Sequence, residues 1–254
     1  MKMCIISLQF DPQGDTPLIV LANRDEFYAR ASLQAHYWDE QPTIFGGRDV
    51  ERGGSWLALT NNGRFAAVTN YRDFTLEPVG EKSRGDLVSH FISSDITAED
   101  YMAAIQAVRL DYGPMNLLVY DGKKLIHFNN IDNRINELQA GIHGLSNASI
   151  NTPWPKVERM KQLFQNAVNE ERLTVEKLLP IGLDTVRPVD ECLPNTGIGL
   201  EGERELSSIF VKRDGYGTRN TTALIMKRDG SINFAEQTYD EGMIDAIIHE
   251  KISQ

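Results

Sequence analysis

Three dipeptides, Asn62-Gly63, Asp121-Gly122 and Asp229-Gly230, each stand between two short apolar runs. A tight connection of this kind needs residues that tolerate positive φ, so each marks a hairpin and makes its two flanking strands antiparallel. Runs with a period of two, or continuous and rich in branched residues, cover residues 3–10, 17–22, 55–60, 64–69, 115–120, 123–128, 207–212, 220–226 and 231–236. Helical spacing appears elsewhere. Leu87, Val88, Phe91 and Ile92 stripe residues 84–94; Thr97 suits the N-cap of a helix over 98–109, which pairs with the first. Pro155 suits the first turn of a helix reaching Asn169, and Met243, Ile244, Ile247 and Ile248 predict a last helix over 240–252. Residues 182–206, rich in Gly, Pro and acids, read as a long loop. Together these elements predict an α+β fold, two antiparallel sheets face to face with helices outside, as one domain over 1–254.

The formal net charge is −10, from 26 basic and 36 acidic side chains. That balance disfavours nonspecific attraction to nucleic acid or to an anionic membrane, and points to small-molecule partners. No run approaches the roughly 20 apolar residues of a spanning helix, and "MKMCIISLQFDP" has no secretory pattern, so the expected address is cytoplasmic. Cys4 and Cys192 make no disulfide framework, and the five histidines show no paired metal spacing, so no metal is expected. "FGGRD" and "RGGSW" lack the strand and helix context of a nucleotide site.

Cys4 opens the first strand, where a cysteine is ordinarily a small buried hydrophobe. As the first residue of a chain it would carry thiol and amine together, and the amine would serve as base for its own nucleophile. Met1-Lys2-Met3 precede it in the written sequence. A short loop holding Gly14 and Asp15 joins the first two strands, so the end of the second, Asn23-Arg24-Asp25-Glu26, comes opposite Cys4. An arginine there lowers a thiol pKa and a carboxylate holds an ammonium. Adjacent strand residues face opposite ways, so Arg24 and Asp25 cannot both face Cys4 unless the strand has ended or bulged. Asn70, Asn147 and Asn220, at strand or loop ends, are turn residues or amide donors to an oxyanion. His143 stands near glycines in "GIHGLSN", where a close backbone approach is expected.

"MC", "LANRDEFYAR", "GGSWLAL", "AAVTNYR", "SRGDLV", "GLSNASINTPWPK" and "GYGTRNTTALI" occur in this order from residue 3 to about 226. The chain resembles the NRDE family, whose animal member is named for transport and Golgi organisation. The resemblance implies the four-layer αββα sandwich of N-terminal nucleophile hydrolases, notably choloylglycine hydrolases and penicillin V acylases. It also implies Cys4 as nucleophile and base, Asn70 and Asn147 as oxyanion donors, Arg219 near the thiolate and the NRDE patch around the amine. In those hydrolases the arginine and aspartate are separated, whereas Arg24 and Asp25 are adjacent, so the roles fall on these two or on Asn23 and Glu26. The family's association with haem mobilisation and lipid or acyl-CoA homeostasis gives two expectations. The first is a binding or trafficking protein for haem or a related amphipathic metabolite, needing no cofactor, in which Asn23, Arg24, Asp25, Glu26, His143 and Arg219 hold the ligand. The alternative is a cysteine amidohydrolase acting on linear C–N amides through Cys4, Arg24, Asp25, Asn70, Asn147 and Arg219.

Overall fold

A computed structural model describes residues 3–76 and 80–253. Among these residues fourteen strands form two sheets, and every pairing between those strands is antiparallel. The first sheet contains β1 (Met3–Phe10), β2 (Leu18–Phe27), β10 (Gly141–Leu145), β11 (Lys212–Arg213), β12 (Tyr216–Met226), β13 (Ile232–Asp240) and β14 (Met243–Ile252). Its order is β10-β1-β2-β12-β13-β14, with β11 on β12. The second runs in chain order through β3 (Ser32–Trp38), β4 (Gln41–Asp49), β5 (Leu57–Thr60), β6 (Phe65–Asn70), β7 (Met115–Tyr120), β8 (Leu125–Asn129) and β9 (Arg134–Glu137). Chain ends and centre therefore build one sheet, and the stretch between β2 and β10 builds the other.

Side-chain alternation distributes these strands among three apolar layers. In β1, Ile6, Leu8 and Phe10 meet Leu59, Phe65 and Leu118 between the sheets. Ile5 points the other way, with Ile19 and Leu21, against Val157, Met160 and Phe164 of α3 (Pro155–Val168). On the far side α1 (Arg84–Ile92) and α2 (Ala98–Ala107) cover the second sheet through Leu87, Phe91 and Met102, and Tyr101 Oη donates to the Leu87 carbonyl at 2.7 Å. The layers are helix, sheet, sheet, helix, the expected αββα sandwich. The three turn dipeptides join β5 to β6, β7 to β8 and β12 to β13, and Gly63, Gly122 and Gly230 have φ of 87°, 91° and 86°.

Some local expectations fail. Residues 243–252 are not a helix but β14, entered through a turn in which Glu241 and Gly242 have φ of 45° and 79°. Spacing i, i+1, i+4, i+5 fits a helix and also a strand whose Ile248 and Ile252 face inward while Asp245, Ile247 and Lys251 face water. Residues 207–211 form no strand: the Phe210 amide donates to the Asp184 carbonyl and that of Val211 to Thr218, leaving only Lys212–Arg213 paired. The loop over 182–206 stays largely irregular but contains α5 (Leu200–Glu205), preceded in chain order by the short α4 (Val175–Leu178). Strands β3, β4, β9 and β10 carry too little alternation to stand out in the sequence.

Candidate functional site

The β1–β2 hairpin sets Cys4 opposite Arg24 and Met3 opposite Asp25. Strand β2 runs on to Phe27, so the NRDE patch divides by face. Arg24 lies on the face of Val20 and Ala22, toward the second sheet and on the side of Cys4. Asn23 lies with Ile19 and Leu21 toward α3; its amide donates to the carbonyls of Gly182 and Ile209 at 2.8 and 3.0 Å, and its carbonyl accepts from Thr221. Asn23 is thus a buried staple that ties together the two ends of the 182–206 stretch. Asp25 accepts from Thr218 Oγ1 at 2.7 Å, and its other carboxylate oxygen is buried with no hydrogen-bond partner among the described residues. The bulge lies in neighbouring β12, where Arg219 is the extra residue between Thr218 and Asn220.

Above Cys4 a cavity of about 640 Å³ opens between the end of β2, the start of β5 and the N-terminus of α1. Trp56 and Val68 give it an apolar wall, and Arg24, Arg30, Arg52, Lys82 and Arg84 give it five cationic side chains, set against Asp25, Glu26, Asp49 and Glu81. Arg24 lies over Trp56 at 4.2 Å, donates to Ser32 Oγ and sits 3.8 Å from Glu26 and 3.9 Å from Asp49. Arg30 clasps Asp49 with two nitrogens at 2.6 and 3.0 Å. Arg84, half-buried, donates to the Pro114 carbonyl at 3.1 Å and has no carboxylate within ion-pair distance among the described residues. Burial weakens the hold of both Arg24 and Arg84 on their protons, and the Glu26 carboxylate opposes this at each.

Two glycines bring α1 here. A Cβ on Gly54 would stand 2.6 Å from the Gly85 carbonyl carbon, and the Ser55 amide donates to the Gly85 carbonyl at 3.2 Å. The glycines of "RGGSW" and "SRGDLV" therefore serve a backbone-to-backbone approach that puts Trp56 and Arg84 into one cavity.

Burial and two charged neighbours act on the Cys4 thiol. Burial pushes its pKa up to about 12, and the Asp25 carboxylate adds to the shift while Arg24 opposes it. Its accessible surface is intermediate, yet protein surrounds the sulfur closely enough to desolvate a thiolate. Behind it, on the α3 side, Lys156 is buried with its ammonium on the Leu206 carbonyl at 3.1 Å. Burial lowers the Lys156 pKa and raises that of Asp25, and each partner's charge counteracts the other's shift. Met1 and Lys2, which precede the nucleophile candidate, lie outside the described residues.

The "GLSN" segment closes the floor. Ser146 Oγ donates to the Cys4 carbonyl at 2.9 Å on the first sheet, and the Ser146 carbonyl accepts from Thr69 on the second. The Asn147 amide donates to the Asn70 carbonyl at 2.9 Å, and the Asn147 carbonyl accepts from the Arg72 amide. Asn116 extends this outward by bonding Thr69, the Ala148 carbonyl and the buried His127. Asn70 lines the cavity with Cys4; Asn147 stands behind it, fixing the strand end rather than facing the cavity.

Two further candidates are not brought to the cavity. One nitrogen of Arg219 donates to the carbonyls of Phe27, Tyr28 and Arg30 at 2.9 to 3.1 Å, holding the turn after β2, because the bulge turns it off the regular strand. His143 bonds the Gln139 carbonyl and Asn151 on β10, which lies on the opposite side of β1 from β2. Arg24, Asp25, Glu26 and Asn70 do line the cavity with Cys4. Sequence reasoning missed Arg84, Trp56, Asp49 and Lys156, although the motifs carrying Trp56, Arg84 and Lys156 were legible. Among the described residues no group of three or more His, Cys, Asp or Glu side chains could hold a metal ion, and no helix is long and apolar enough to cross a membrane.

Comparison with known proteins adds a family. Residues 3–241 match the family described as Transport and Golgi organisation 2. The chain is 33% identical to the Transport and Golgi organization 2 homolog of Mus musculus, with 93% of each chain covered. It is 26% identical to Transport and Golgi organization protein 2 of Drosophila melanogaster, covering 93% of this chain and 92% of that one. Among solved structures it is similar to a mutant conjugated bile acid hydrolase from Clostridium perfringens, at 9% identity and a TM-score of 0.47, covering 98% of this chain and 92% of the other.

Proposed function

Because the chain belongs to the Transport and Golgi organisation 2 family, we propose that it is a cytoplasmic binding or trafficking protein for an anionic amphipathic metabolite, haem or a related molecule, held in the cavity above Cys4. Arg84 carries this reading. A half-buried guanidinium facing a cavity, with a carbonyl and no carboxylate as its direct partner among the described residues, suits a ligand carboxylate or phosphate, and such charge-assisted bonds are strong. Trp56 and Val68 offer an apolar wall beside it. A volume of about 640 Å³ lies within the ordinary range for small-molecule sites. Burial keeps the Cys4 thiol protonated, which suits retention of the ligand rather than its cleavage.

The test is a titration with ferric protoporphyrin IX, followed by its Soret band, and with a long-chain acyl phosphate, followed calorimetrically. Saturable binding is expected, weakened about tenfold or more by Arg84→Met, in line with loss of a charge-assisted bond, and little changed by Cys4→Ala. Binding that is unsaturable for both ligands, or indifferent to Arg84→Met, overturns the reading.

One observation favours a second reading, the amidohydrolase. The unpartnered Asp25 oxygen beside Cys4 suits an α-ammonium, which a chain beginning at Cys4 would supply. In that chain the amine would take the thiol proton and the sulfur would attack an amide carbonyl; the C–N bond would break as that proton passes to the departing amine, and water would then hydrolyse the thioester to a carboxylic acid and the free thiol. Intact mass of the protein from its native host decides whether such a chain exists. Turnover of linear amides, abolished by Cys4→Ala with binding retained, would then favour cleavage over carriage.

A further inference from the structure

Strand β14 ends the first sheet: among the described residues its one strand partner is β13, which leaves its other edge without a strand. Of the helices on that face of the sheet, α4 reaches β14 at one point, where Glu176 meets His249 at 3.2 Å. Met243, Ile244 and Ile247 are 65, 57 and 46% exposed, the largest concentration of exposed apolar side chains on any strand of the molecule's described part. A long, flat, apolar edge is a template for further strand pairing, which proteins ordinarily blunt or cover.

We propose that β14 pairs antiparallel with β14 of a second copy of this chain, joining the two first sheets into one. The charge pattern selects that occupant. A two-fold axis perpendicular to the sheet keeps each side chain on its own face, so opposed residues must have the same parity. With the axis at Ile248, Ile248 meets its own counterpart, Ile247 meets His249, Ala246 meets Glu250, and Asp245 meets Lys251 at both ends of the paired stretch. Asp245, Ile247, His249 and Lys251 are all exposed. The two Ile247 side chains become diagonal neighbours across the axis, within reach of each other. Moving the axis one residue toward the chain start leaves Lys251 opposite Met243; moving it one residue the other way sets His249 against itself. The bulge at Thr238/Tyr239 makes Asp245 the extra residue of β14, so with the axis at Ile248 regular pairing covers Ala246 to Glu250 and the Asp245–Lys251 contacts lie just beyond its two ends. This interface is independent of the cavity above Cys4, and neither proposal depends on the other.

The experiment is sedimentation equilibrium of the full chain across micromolar to tens-of-micromolar concentrations. Wild type is expected at the mass of two chains. Asp245→Lys and Lys251→Asp, each placing like charges opposite one another, are expected to weaken association about tenfold or more, and the double swap to restore it because the pairs re-form. Unchanged circular dichroism and thermal midpoint show that each variant folds. A wild type that stays at one chain's mass, a dimer unmoved by the single swaps, or a double swap that fails to restore association overturns the proposal.

Discussion

Cys4 illustrates how placement decides the chemistry of a residue. Its thiol has an arginine opposite it in register, which in isolation would promote the thiolate, yet desolvation and the Asp25 carboxylate prevail and hold the proton on sulfur. Labelling with iodoacetamide near pH 8, read by peptide mapping, should modify exposed Cys192 at least about tenfold faster than Cys4. Comparable rates would contradict the shielded thiol. Asp25→Asn, which removes the second cause of the shift, should narrow the difference. Asn147 acts through position as well: buried itself, it donates through its side-chain amide to the carbonyl of half-buried Asn70 and accepts from Ser146 Oγ. Asn147→Ala should cost about 1–3 kcal/mol in a denaturant titration, because the Asn70 carbonyl loses its donor and the buried Ser146 hydroxyl loses an acceptor.

Between elements, close backbone approach shapes the cavity and a buried ion pair anchors the 182–206 stretch. Gly54→Ala forces a methyl against the Gly85 carbonyl carbon and must displace the start of α1. The variant should bind the ligands of the cavity more weakly and melt at a lower temperature, whereas Gly63→Ala, with nothing within 4 Å of its Cβ, should affect stability through its positive φ and leave binding alone. The 182–206 stretch is anchored by Arg72, which stacks 4.8 Å from Trp154 and meets Glu203 at 2.7 Å, both ion-pair partners being buried. Arg72→Met should destabilise by about 3–5 kcal/mol, since a buried carboxylate is left without its cation, and Arg72→Met with Glu203→Leu should recover much of that in chemical denaturation. An equal loss in single and double variants would remove the pair from this role.

At the scale of the whole molecule, stability should bend with pH through His127. This histidine is enclosed in the second sheet, with Nε2 on Asn116 and Nδ1 accepting from Asn136, and burial takes its pKa from 6.5 to about 3. Its contribution is complete above about 6.5 and is lost as pH falls toward 3, because the unfolded chain binds the proton first. Asp25 and Glu236, raised by burial, run the other way: they favour the fold at low pH and lose that advantage as pH rises. The His127 effect is therefore the difference between wild type and His127→Gln, expected to shrink as pH falls from 7 to 4; parallel curves would rule it out.

The sequence by itself determined the sandwich. Turn dipeptides and two-residue alternation are local signals, and a hairpin with a short loop had to bring Arg24 and Asp25 level with Cys4. It also marked, without explaining them, the motifs around Trp56, Arg84 and Asn147. Their roles depend on contacts distant along the chain: Gly54 against Gly85, Ser146 between the two sheets, Lys156 behind Asp25. Only the tertiary structure decided that Arg24 faces the cavity while Asn23 holds a loop, and that Arg219 holds a turn. Which face a strand buries, and how far a buried charge is desolvated, are set by what packs on it from elsewhere.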